Sequence, residues 1–429
     1  MYGEGDVSRR GLLCGCVGTG ALALAGCLED DTTDAVEGNG DEGEETIGED
    51  GMPAFPEIEN PPDVVYRPTH REEMVMLEPV EAGHYLFGPM LTYPHPFWLT
   101  QGRDVQRVDP SASDDVHLMV TAWDRETGLV VPLDSSPVFE LFYDGESIAE
   151  ERPWLMISQQ MGFHFGDNVS LGEDGTYRVE GRISPLSVRR TGAFAGRFDD
   201  AVSFSFEFEL GDELRNLVTD IEYFPEEEWG EPGALEPMDH GGHGHDDHEH
   251  GDHTERDHHD DHEHGDHTEG DHHDDHEHGD HTEGDHHDDH DHGEHHAIPY
   301  SALPPADELP GTHQASLESG DAVFEVTLLE SGSRFVDDDS WYLGVSPRSP
   351  YNRCVLPLMD LEAVVDGEPH QLVETMDDAL HHHYGTALEG DPDGASLELE
   401  VITPPQVTRH QGYETAFLEM PAMSTELSR

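Results

Sequence analysis

The sequence predicts an all-β chain in which two immunoglobulin-like β-sandwich domains are joined by a disordered linker rich in His and Asp. Apolar residues alternate with period two in several segments, turn dipeptides separate those segments, and no stretch keeps a helical period beyond a turn or two. The predicted parts are a signal segment at 1–27, an acidic disordered tether at 28–62, sandwiches at 63–225 and 299–425, and the linker at 226–298.

The clearest predicted strand covers residues 202–210, where every second residue from Phe204 onward is Phe or Leu. Residues 322–328 and 397–401 alternate in the same way, which is typical of strands with one buried face. Each sandwich segment is long enough for about seven to nine strands. Asp-Gly dipeptides that mark turns begin at residues 144, 174, 366 and 393.

The composition is strongly acidic: 96 Asp and Glu stand against 20 basic residues, all of them Arg, for a net charge of −76. This charge excludes a nucleic-acid-binding protein, because phosphates would be repelled. Self-repulsion would also weaken the folded state at low salt, whereas the Debye length falls to about 3 Å at 1 M salt. We therefore expect a protein from a salt-loving, halophilic organism.

The N-terminus is predicted to be an export signal rather than part of the fold. Residues 8–13, Ser-Arg-Arg-Gly-Leu-Leu, form a twin-arginine motif, and residues 24–27, Leu-Ala-Gly-Cys, resemble a lipobox. We expect cleavage before Cys27, lipid attachment to its thiol and an anchored protein on the outer face of the cytoplasmic membrane. A retained transmembrane anchor is the alternative, and it places the bulk of the chain on the same side.

The four cysteines give no disulfide framework, because Cys14 and Cys16 leave with the signal, Cys27 is lipidated and Cys354 is left alone. Cys354 lies in an apolar run and is predicted to be buried and inert. A blue-copper site needs a Cys thiolate with two His, and Cys354 has no His within 15 residues on either side.

A His-rich tract covers residues 239–296, with 22 His, 23 Asp or Glu and no apolar residue. A 14-residue unit repeats from His248, His262 and His276, and with nothing to bury the tract should be disordered. Such dense imidazole predicts capture of divalent metal, with Cu²⁺ preferred and Ni²⁺ and Zn²⁺ above Fe²⁺. The alternative is a polar linker that binds metal without a physiological role.

The two sandwich segments resemble each other when the chain is shifted by 219 residues. Residues 164–190 and 383–409 are identical at eight of 27 positions, among them the pair His164/His383. We infer an ancient duplication. In the intervening strand the apolar positions of the two copies differ by one residue, so the match requires a slip or a bulge there.

Several His and Met residues are spaced as metal ligands. Met156 precedes His164 by eight residues, and Met376 precedes His383 by seven. A thioether together with an imidazole favours copper or ferrous iron over Mg²⁺ or Ca²⁺. The alternative is that each Met fills the core and each His is a hydrogen-bonded structural residue. The candidates from spacing are His117, Met119, Met156, His164, Met376, His381, His382 and His383.

A Met followed by a His-Tyr-Gly loop, a strand and a late Arg-His pair resembles periplasmic ferrous-iron transport accessory proteins. These are small cupredoxin-like sandwiches that partner an iron permease. The resemblance implies a site made of a strand His with a nearby Glu, the Met and His of the loop, and the His of the late motif. In the first segment Met119 stands where the family has Glu, and the late His is missing. In the second segment Met376, the loop at 383–385 and the late pair Arg409-His410 match the family, so the resemblance adds His410 to the candidate ligands, but residues 323–325 lack the strand His.

Neither segment therefore carries the full ligand set. Each sandwich could hold a weakened site of two or three ligands, or one sandwich could have lost its metal, or the two could pack as a pseudo-dimer whose ligands complement each other. We favour the first alternative, because His164 and His383 each keep a Met partner.

The predicted function is that of a lipid-anchored, extracytoplasmic protein that captures iron for a membrane transporter such as an iron permease. A copper- or zinc-buffering surface protein and a structural β-sandwich module are the alternatives. We expect no enzyme, because the sequence has no Ser-His-Asp context, no phosphate-binding Gly loop and no His-Glu-x-x-His motif. Iron or copper is expected in the folded sites, and Zn, Ni or Cu in the His-rich linker.

Overall fold

Strands dominate the chain, as the period-two pattern predicts. The structure is a computed structural model that describes residues 55–238, 297–336 and 339–429. All of these belong to one compact unit, Glu45–Arg429. The predicted signal with Cys27 and the His-rich tract lie outside the described residues.

We call residues 55–238 the first half and the described residues from 297 onward the second half. The first half contains one α-helix, α1 (Asp212–Val218), and 3₁₀ turns at Gly192–Phe194 and Glu226–Glu228. Its strands are β1 (His70–Glu72), β2 (Val75–Met76), β3 (Val80–Ala82), β4 (Tyr85–Thr92), β5 (Phe97–Gln101), β6 (Asp104–Val108), β7 (Val116–Asp124), β8 (Val138–Tyr143), β9 (Glu146–Glu151), β10 (Trp154–Ser158), β11 (Gly162–Val169), β12 (Gly175–Ile183), β13 (Arg189–Arg190), β14 (Val202–Leu210) and β15 (Ile221–Tyr223).

The second half contains strands and one 3₁₀ turn, Ala306–Glu308, within its described residues. Its strands are β16 (Thr312–Ser319), β17 (Ala322–Leu329), β18 (Trp341–Arg348), β19 (Asp360–Val365), β20 (Glu368–Gln371), β21 (Val373–Asp377), β22 (His381–Leu388), β23 (Ser396–Thr403), β24 (Thr408–Arg409) and β25 (Met423–Glu426). In the described parts of the chain, no helix has the length and apolar character that a membrane crossing needs.

Each half contains a larger and a smaller sheet, and the first half also has a two-stranded sheet, β1-β15. The first half has a nine-stranded sheet centred on β4, β7, β11 and β10, and a four-stranded sheet β14-β12-β8-β9. The second half repeats this plan with a six-stranded sheet, β13-β21-β22-β18-β17-β16, and a four-stranded sheet, β20-β19-β23-β25. The predicted all-β class is therefore confirmed.

Three predicted strands agree with the structure; β14 and β23 have one buried face, whereas β17 is buried on both faces. β14 covers Val202–Leu210, with buried Phe and Leu side chains alternating with exposed ones. β17 and β23 include the other two alternating segments. In β23 the register to β19 shifts by one residue between Val401 and Thr403, and the skipped Ile402 is 47% exposed. This bulge is the irregularity that the gapless alignment of the two copies requires.

The two halves exchange short strands in a reciprocal way. β24 of the second half runs parallel to β10 of the first, with Thr408 opposite Met156. β13 of the first half runs parallel to β21 of the second, with Arg189 opposite Thr375. Both halves also contribute to one continuous cluster of buried apolar residues. The chain thus folds as a pseudo-dimer in which neither larger sheet is complete without the other half.

The packed region extends beyond the predicted sandwich boundaries on both sides of the tract. The backbone N–H of Met238 donates to the carbonyl of Gln160 (3.0 Å), and that of Gly233 donates to Val65 (3.1 Å). After the tract, Ile298 is 6% exposed and packs above Gly88. These short segments are apolar enough to be ordered by contact with the sandwiches, although no strand periodicity marks them.

Candidate metal centre

One face of the first half's larger sheet holds four of the predicted ligands. His117 and Met119 lie on β7 at positions i and i+2, so they share that face. Met156 on β10 is directly opposite His164 on β11. His117 pairs with Asn168, and Met119 pairs with Gly166. Because His164, Gly166 and Asn168 lie at every second position of β11, all four ligand side chains point to the same side of the sheet.

Gly166 allows two of these side chains to meet. A Cβ atom added at Gly166 would lie 2.6 Å from His117 Nε2 and 3.0 Å from Met156 Sδ. The first distance is shorter than real Cβ contacts and the second is tighter than most of them, so the imidazole and the thioether occupy the space above this glycine. Because Gly166 has no side chain, these two donors, which come from β7 and β10, can meet at one point.

His410 reaches this cluster from the second half. Its backbone N–H donates to the carbonyl of Ile157 on β10 (3.2 Å), which extends the pairing of β24. The preceding Arg409 is fully buried and donates to the carbonyls of Ala416 and Tyr413, which holds β24 in place. As a result His410 Nε2 lies 3.2 Å from His164 Nε2.

His95 completes the cluster and was not among the predicted ligands. It lies in the connection between β4 and β5, and its ring centroid is 4.1 Å from that of His117 and 4.8 Å from that of His410. One ligand atom from each of these three histidines falls within 4.8 Å of the others. His95 stands outside every strand pattern, but prolines on both sides of it fix the backbone locally, and this was the available signal.

Hydrogen bonds set the tautomers of these rings. The Nδ1–H of His117 donates to Asn168 Oδ1 (2.8 Å), and that of His164 donates to the carbonyl of Gly162 (3.1 Å). The Nδ1–H of His95 donates to the carbonyl of Pro96 (3.1 Å). The rings of His117 and His164 therefore keep their lone pair on Nε2. Within the described part of the chain, Nε2 of His95 and Nε2 of His117 have no hydrogen-bond partner.

Burial keeps the imidazoles uncharged. It lowers the pKa of His164 to about 4, with the nearby His95 ring lowering it further and the bond to Gly162 opposing the shift. Burial, followed by the neighbouring imidazoles, places the pKa of His410 well below its usual range. The pKa of His117 is also well below its usual range, chiefly through burial. Neutral imidazole is the form that binds metal ions, so the lone pairs are available.

A carboxylate faces the cluster from β1. Glu72 Oε2 lies 3.4 Å from His95 Nε2, and Glu72 Oε1 lies 3.3 Å from His70 Nε2. Burial raises the pKa of Glu72, but His95 and then His70 outweigh it, so the net pKa is below the usual value. Glu72 is thus a negative group beside the imidazoles. Sequence reasoning missed it, because a three-residue strand carries too little periodicity to be recognised.

These donors fit a transition-metal cation. Two nitrogens bound at 2.0–2.1 Å to a tetrahedral ion are about 3.4 Å apart, close to the 3.2 Å that separates the Nε2 atoms of His164 and His410. Imidazoles with a thioether suit copper and ferrous iron, and imidazoles alone suit zinc. Met119, also predicted, is 1% exposed and lines a cavity of about 70 Å³ beside His95 and His410.

The corresponding place in the second half does not carry these ligands. Strand register puts Tyr342 where the first half has His117, and Thr375 where it has Met156. Thr191 stands where His410 does, since its N–H donates to Met376 as that of His410 does to Ile157. The three positions that carry metal-ligand donors in the first half therefore carry hydroxyl side chains in the second half.

The residues predicted for a second site do not come together. His383 Nε2 is bonded to the Tyr342 hydroxyl (3.1 Å), and its Nδ1–H donates to the carbonyl of His381 (3.0 Å), so both ring nitrogens are used. Met376 lies opposite His382, and therefore on the other face of the sheet from His383. His382 Nε2 is paired with Glu374 Oε1 (2.7 Å). Among the described residues, the cluster that gathers ligands is the one joined by His410.

Cys354 lies away from the cluster in the core. It is fully buried, its Sγ is 3.6 Å from Ser301 Oγ, and burial raises the pKa of the thiol to about 11. A thiol with such a pKa stays protonated, which makes it a poor metal ligand.

Comparison with known proteins gives partial similarities. The model of a family described as a domain of unknown function, DUF7350, matches residues 307–426. The comparison with curated proteins finds no match. Two solved structures of FetP from uropathogenic E. coli strain F11 are similar to 32% of this chain. The "as isolated" protein is 21% identical over 96% of its own length, with a TM-score of 0.25. A copper-bound variant with one Glu-to-Gln change is 23% identical over 97%, with a TM-score of 0.26.

Proposed function

We propose that this chain binds a transition-metal cation between its two halves and passes it to a membrane transporter of the cell envelope. The single observation that supports the proposal most is that His95, His117 and His410 each bring one ligand atom within 4.8 Å of the others, with His164 Nε2 3.2 Å from His410 Nε2 and Met156 Sδ beside His117 Nε2. Buried lone pairs without partners are costly unless something binds them. A bound cation removes that cost, so binding rather than catalysis accounts for the arrangement.

The cargo we propose is iron, in line with the predicted role, and ferrous iron accepts imidazole, thioether and carboxylate donors. Copper is the second candidate, and a specific observation favours it: Met156 Sδ lies beside His117 Nε2 above Gly166. A buried thioether suits Cu⁺ better than Fe²⁺. Neighbouring genes would separate the two roles, since an iron permease supports iron delivery and a copper exporter supports copper buffering.

Cell-surface location and ion collection complete the proposal. The twin-arginine motif at residues 8–13 and lipidation of Cys27 would tether the chain outside the cytoplasmic membrane. The 22 His of residues 239–296 would then raise the local concentration of divalent ions near the folded site. The tract lacks selectivity, whereas the buried site has fixed donors.

Metal analysis of a tract-silenced protein tests this proposal. All 22 His of residues 239–296 are replaced by Asn in the full-length chain, so that only the folded part can bind tightly. In that background His117→Asn and His164→Asn should each lower the affinity for Cu⁺ and Fe²⁺ at least tenfold, measured by anaerobic competition with a chromogenic chelator. His313→Asn, at a partly exposed position on β16, is the matched control and should bind as the parent does. Unchanged binding in both site variants would refute the proposed function.

A further inference from the structure

We infer that Asn168 is a positioning residue of the metal centre: its side-chain amide fixes the tautomer of His117 and holds the backbone of His95. The inference rests on the proposed function, because it assigns a role there to a residue that need not bind the ion itself. Asn168 lies on β11 and is paired with His117 on β7. His95 lies in the connection between β4 and β5, so one amide joins ligands from two separate parts of the first half.

The backbone of His95 determines how the Asn168 amide is oriented. The backbone N–H of His95 donates to Asn168 Oδ1 (3.3 Å), and Asn168 Nδ2 donates to the carbonyl of His95 (3.0 Å). A peptide N–H can only donate and a peptide carbonyl can only accept, so exchange of the amide oxygen and nitrogen would break both bonds. The oxygen, Oδ1, is therefore the amide atom that faces His117.

This orientation determines which ring nitrogen of His117 carries the proton. His117 Nδ1 lies 2.8 Å from Asn168 Oδ1, and an amide oxygen can only accept. Nδ1 is therefore the N–H donor, and the lone pair is on Nε2, the atom that lies above Gly166 beside Met156 Sδ. The opposite tautomer would set two lone pairs against each other at Asn168 and would turn an N–H toward the metal position.

The same amide supplies hydrogen bonds to a connection that has few backbone donors. Pro94 and Pro96 have no backbone N–H, so the N–H of His95 is the one backbone donor of residues 94–96. Asn168 accepts this N–H and donates to the carbonyl of the same residue, as a residue of a neighbouring antiparallel strand would. The His95 ring then lies 4.1 Å from the His117 ring, measured between centroids.

The second half offers a comparison within the same molecule. Tyr342 stands at the position of His117, and the residue paired with it is Ala387, which corresponds to Asn168 in the shift of 219 residues. The methyl group of Ala387 offers neither a donor nor an acceptor. The amide is therefore present where an imidazole has to present one particular nitrogen, and absent where the position carries a phenol.

Nitrogen NMR of histidine-labelled, metal-free protein tests this role, because the chemical shifts of the two ring nitrogens report the tautomer. The protein is the full-length, tract-silenced chain, in which 11 of the 33 His remain, and the signals lost in His117→Asn assign His117. We expect the proton on Nδ1 in this parent and in Asn168→Asp, which keeps an acceptor oxygen. Asn168→Val suits a strand but has no acceptor, so it should lose the single tautomer.

The affinity for Cu⁺, from anaerobic competition with a chelator, is the second measurement. Asn168→Val should lower it about tenfold or more, the usual effect of losing a group that orients a metal-binding His. Asn352→Val is the matched control: Asn352 is also half-buried, and its Nδ2 donates to the carbonyls of Gln159 (2.9 Å) and Leu235 (2.7 Å) rather than to a histidine. This control should lose stability but keep the parent's tautomer of His117 and, within about twofold, its affinity.

The outcomes separate this inference from the proposed function. A proton on Nε2 of His117 in the parent or in Asn168→Asp, or a mixture of tautomers, would overturn the inference even if Asn168→Val did not fold. A folded Asn168→Val protein with the parent's tautomer or the parent's affinity would also overturn it, as would an equal loss of affinity in Asn352→Val, and the proposed function would stand. A parent that binds no Cu⁺ and no Fe²⁺ would refute the proposed function, whereas the tautomers would still show whether Asn168 orients His117.

Discussion

Gly166 controls whether the donors of the candidate site can approach each other. The space above its Cα is shared by His117 Nε2 and Met156 Sδ, which come from different strands. Any side chain at this position would push both donors away or force β11 to move. A residue that binds nothing itself is therefore as necessary to the site as a ligand.

Gly166→Ala should lower the affinity of the tract-silenced protein for Cu⁺ at least tenfold, because the added methyl group would collide with both donors. Overpacking should also cost about 1–3 kcal/mol of stability, read from urea unfolding. Gly211→Ala is the control: its backbone is extended and nothing lies within 4 Å of the added Cβ. Equal affinities for the two variants would show that Met156 and His117 do not act together.

Single substitutions also explain why the second half lacks a site. Tyr342 stands at the position of His117, and its hydroxyl is hydrogen-bonded to His383. Thr191 stands at the position of His410, and its hydroxyl donates to Asp377 (2.7 Å). These bonds replace the coordination bonds that imidazoles would make. His383 occupies the place that corresponds to His164 and is buried, but both of its ring nitrogens are used in hydrogen bonds.

At the level of elements, the strands that could be predicted are the ones in which apolar side chains occur at every second residue. Period two identified β14, β17 and β23, and the shift between the two copies correctly required the bulge at Ile402. β13 and β24 have only two residues each, so no pattern could reveal them. Their positions depend on the other half of the chain, which is non-local information that a linear pattern does not contain.

The sequence predicts several residues of the candidate site but not their arrangement in space. Spacing predicts His117, Met119, Met156 and His164 as candidates, and the family resemblance adds His410, but neither predicts how these residues come together. We preferred a separate weakened site in each half, whereas the structure joins His410 to the first half through β24. The pseudo-dimer was the open alternative that matches this arrangement. His95 and Glu72 were missed because a loop and a three-residue strand offer no period.

The strand exchange itself can be tested with two matched proline variants. Thr408→Pro should weaken β24 and Arg189→Pro should weaken β13, because proline fixes φ and removes a backbone donor. Both should lower the unfolding temperature, but only Thr408→Pro should lower the affinity for Cu⁺, since it alone displaces His410. The affinity of both variants for Cu⁺ is measured by metal titration. Equal loss of affinity would mean that the strand exchange affects the site only through overall stability.

At the scale of the whole molecule, the shared core makes the two halves one folding unit. Buried residues of both halves form a continuous apolar cluster, and each larger sheet includes a strand from the other half. Separation of the halves would expose that apolar surface and would break both parallel pairings. The metal cluster lies at this junction, so a bound cation should stabilise the union of the halves as well as the local site.

Charge is the whole-molecule property with the largest consequence for stability. Residues 239–296 hold 23 acidic residues and one Arg, so the rest of the chain keeps 73 acidic and 19 basic residues, a net charge of −54. Exposed ion pairs such as Arg71–Glu222 and Arg125–Glu81 contribute only about 0–1 kcal/mol each, and too few Arg are present to pair most carboxylates. Repulsion therefore outweighs pairing at low salt.

Raising KCl from 0.2 M to 3 M should accordingly raise the unfolding temperature of the apo protein, measured by calorimetry. Most of the increase should come below about 1 M, because at 1 M the Debye length has already fallen to about 3 Å and further salt adds little screening. Sucrose at matched osmolality is the control, because it favours the compact state by exclusion from the surface without screening charges. If sucrose and KCl act equally, or if the unfolding temperature stays flat in KCl, then repulsion among the carboxylates does not limit the stability of this fold.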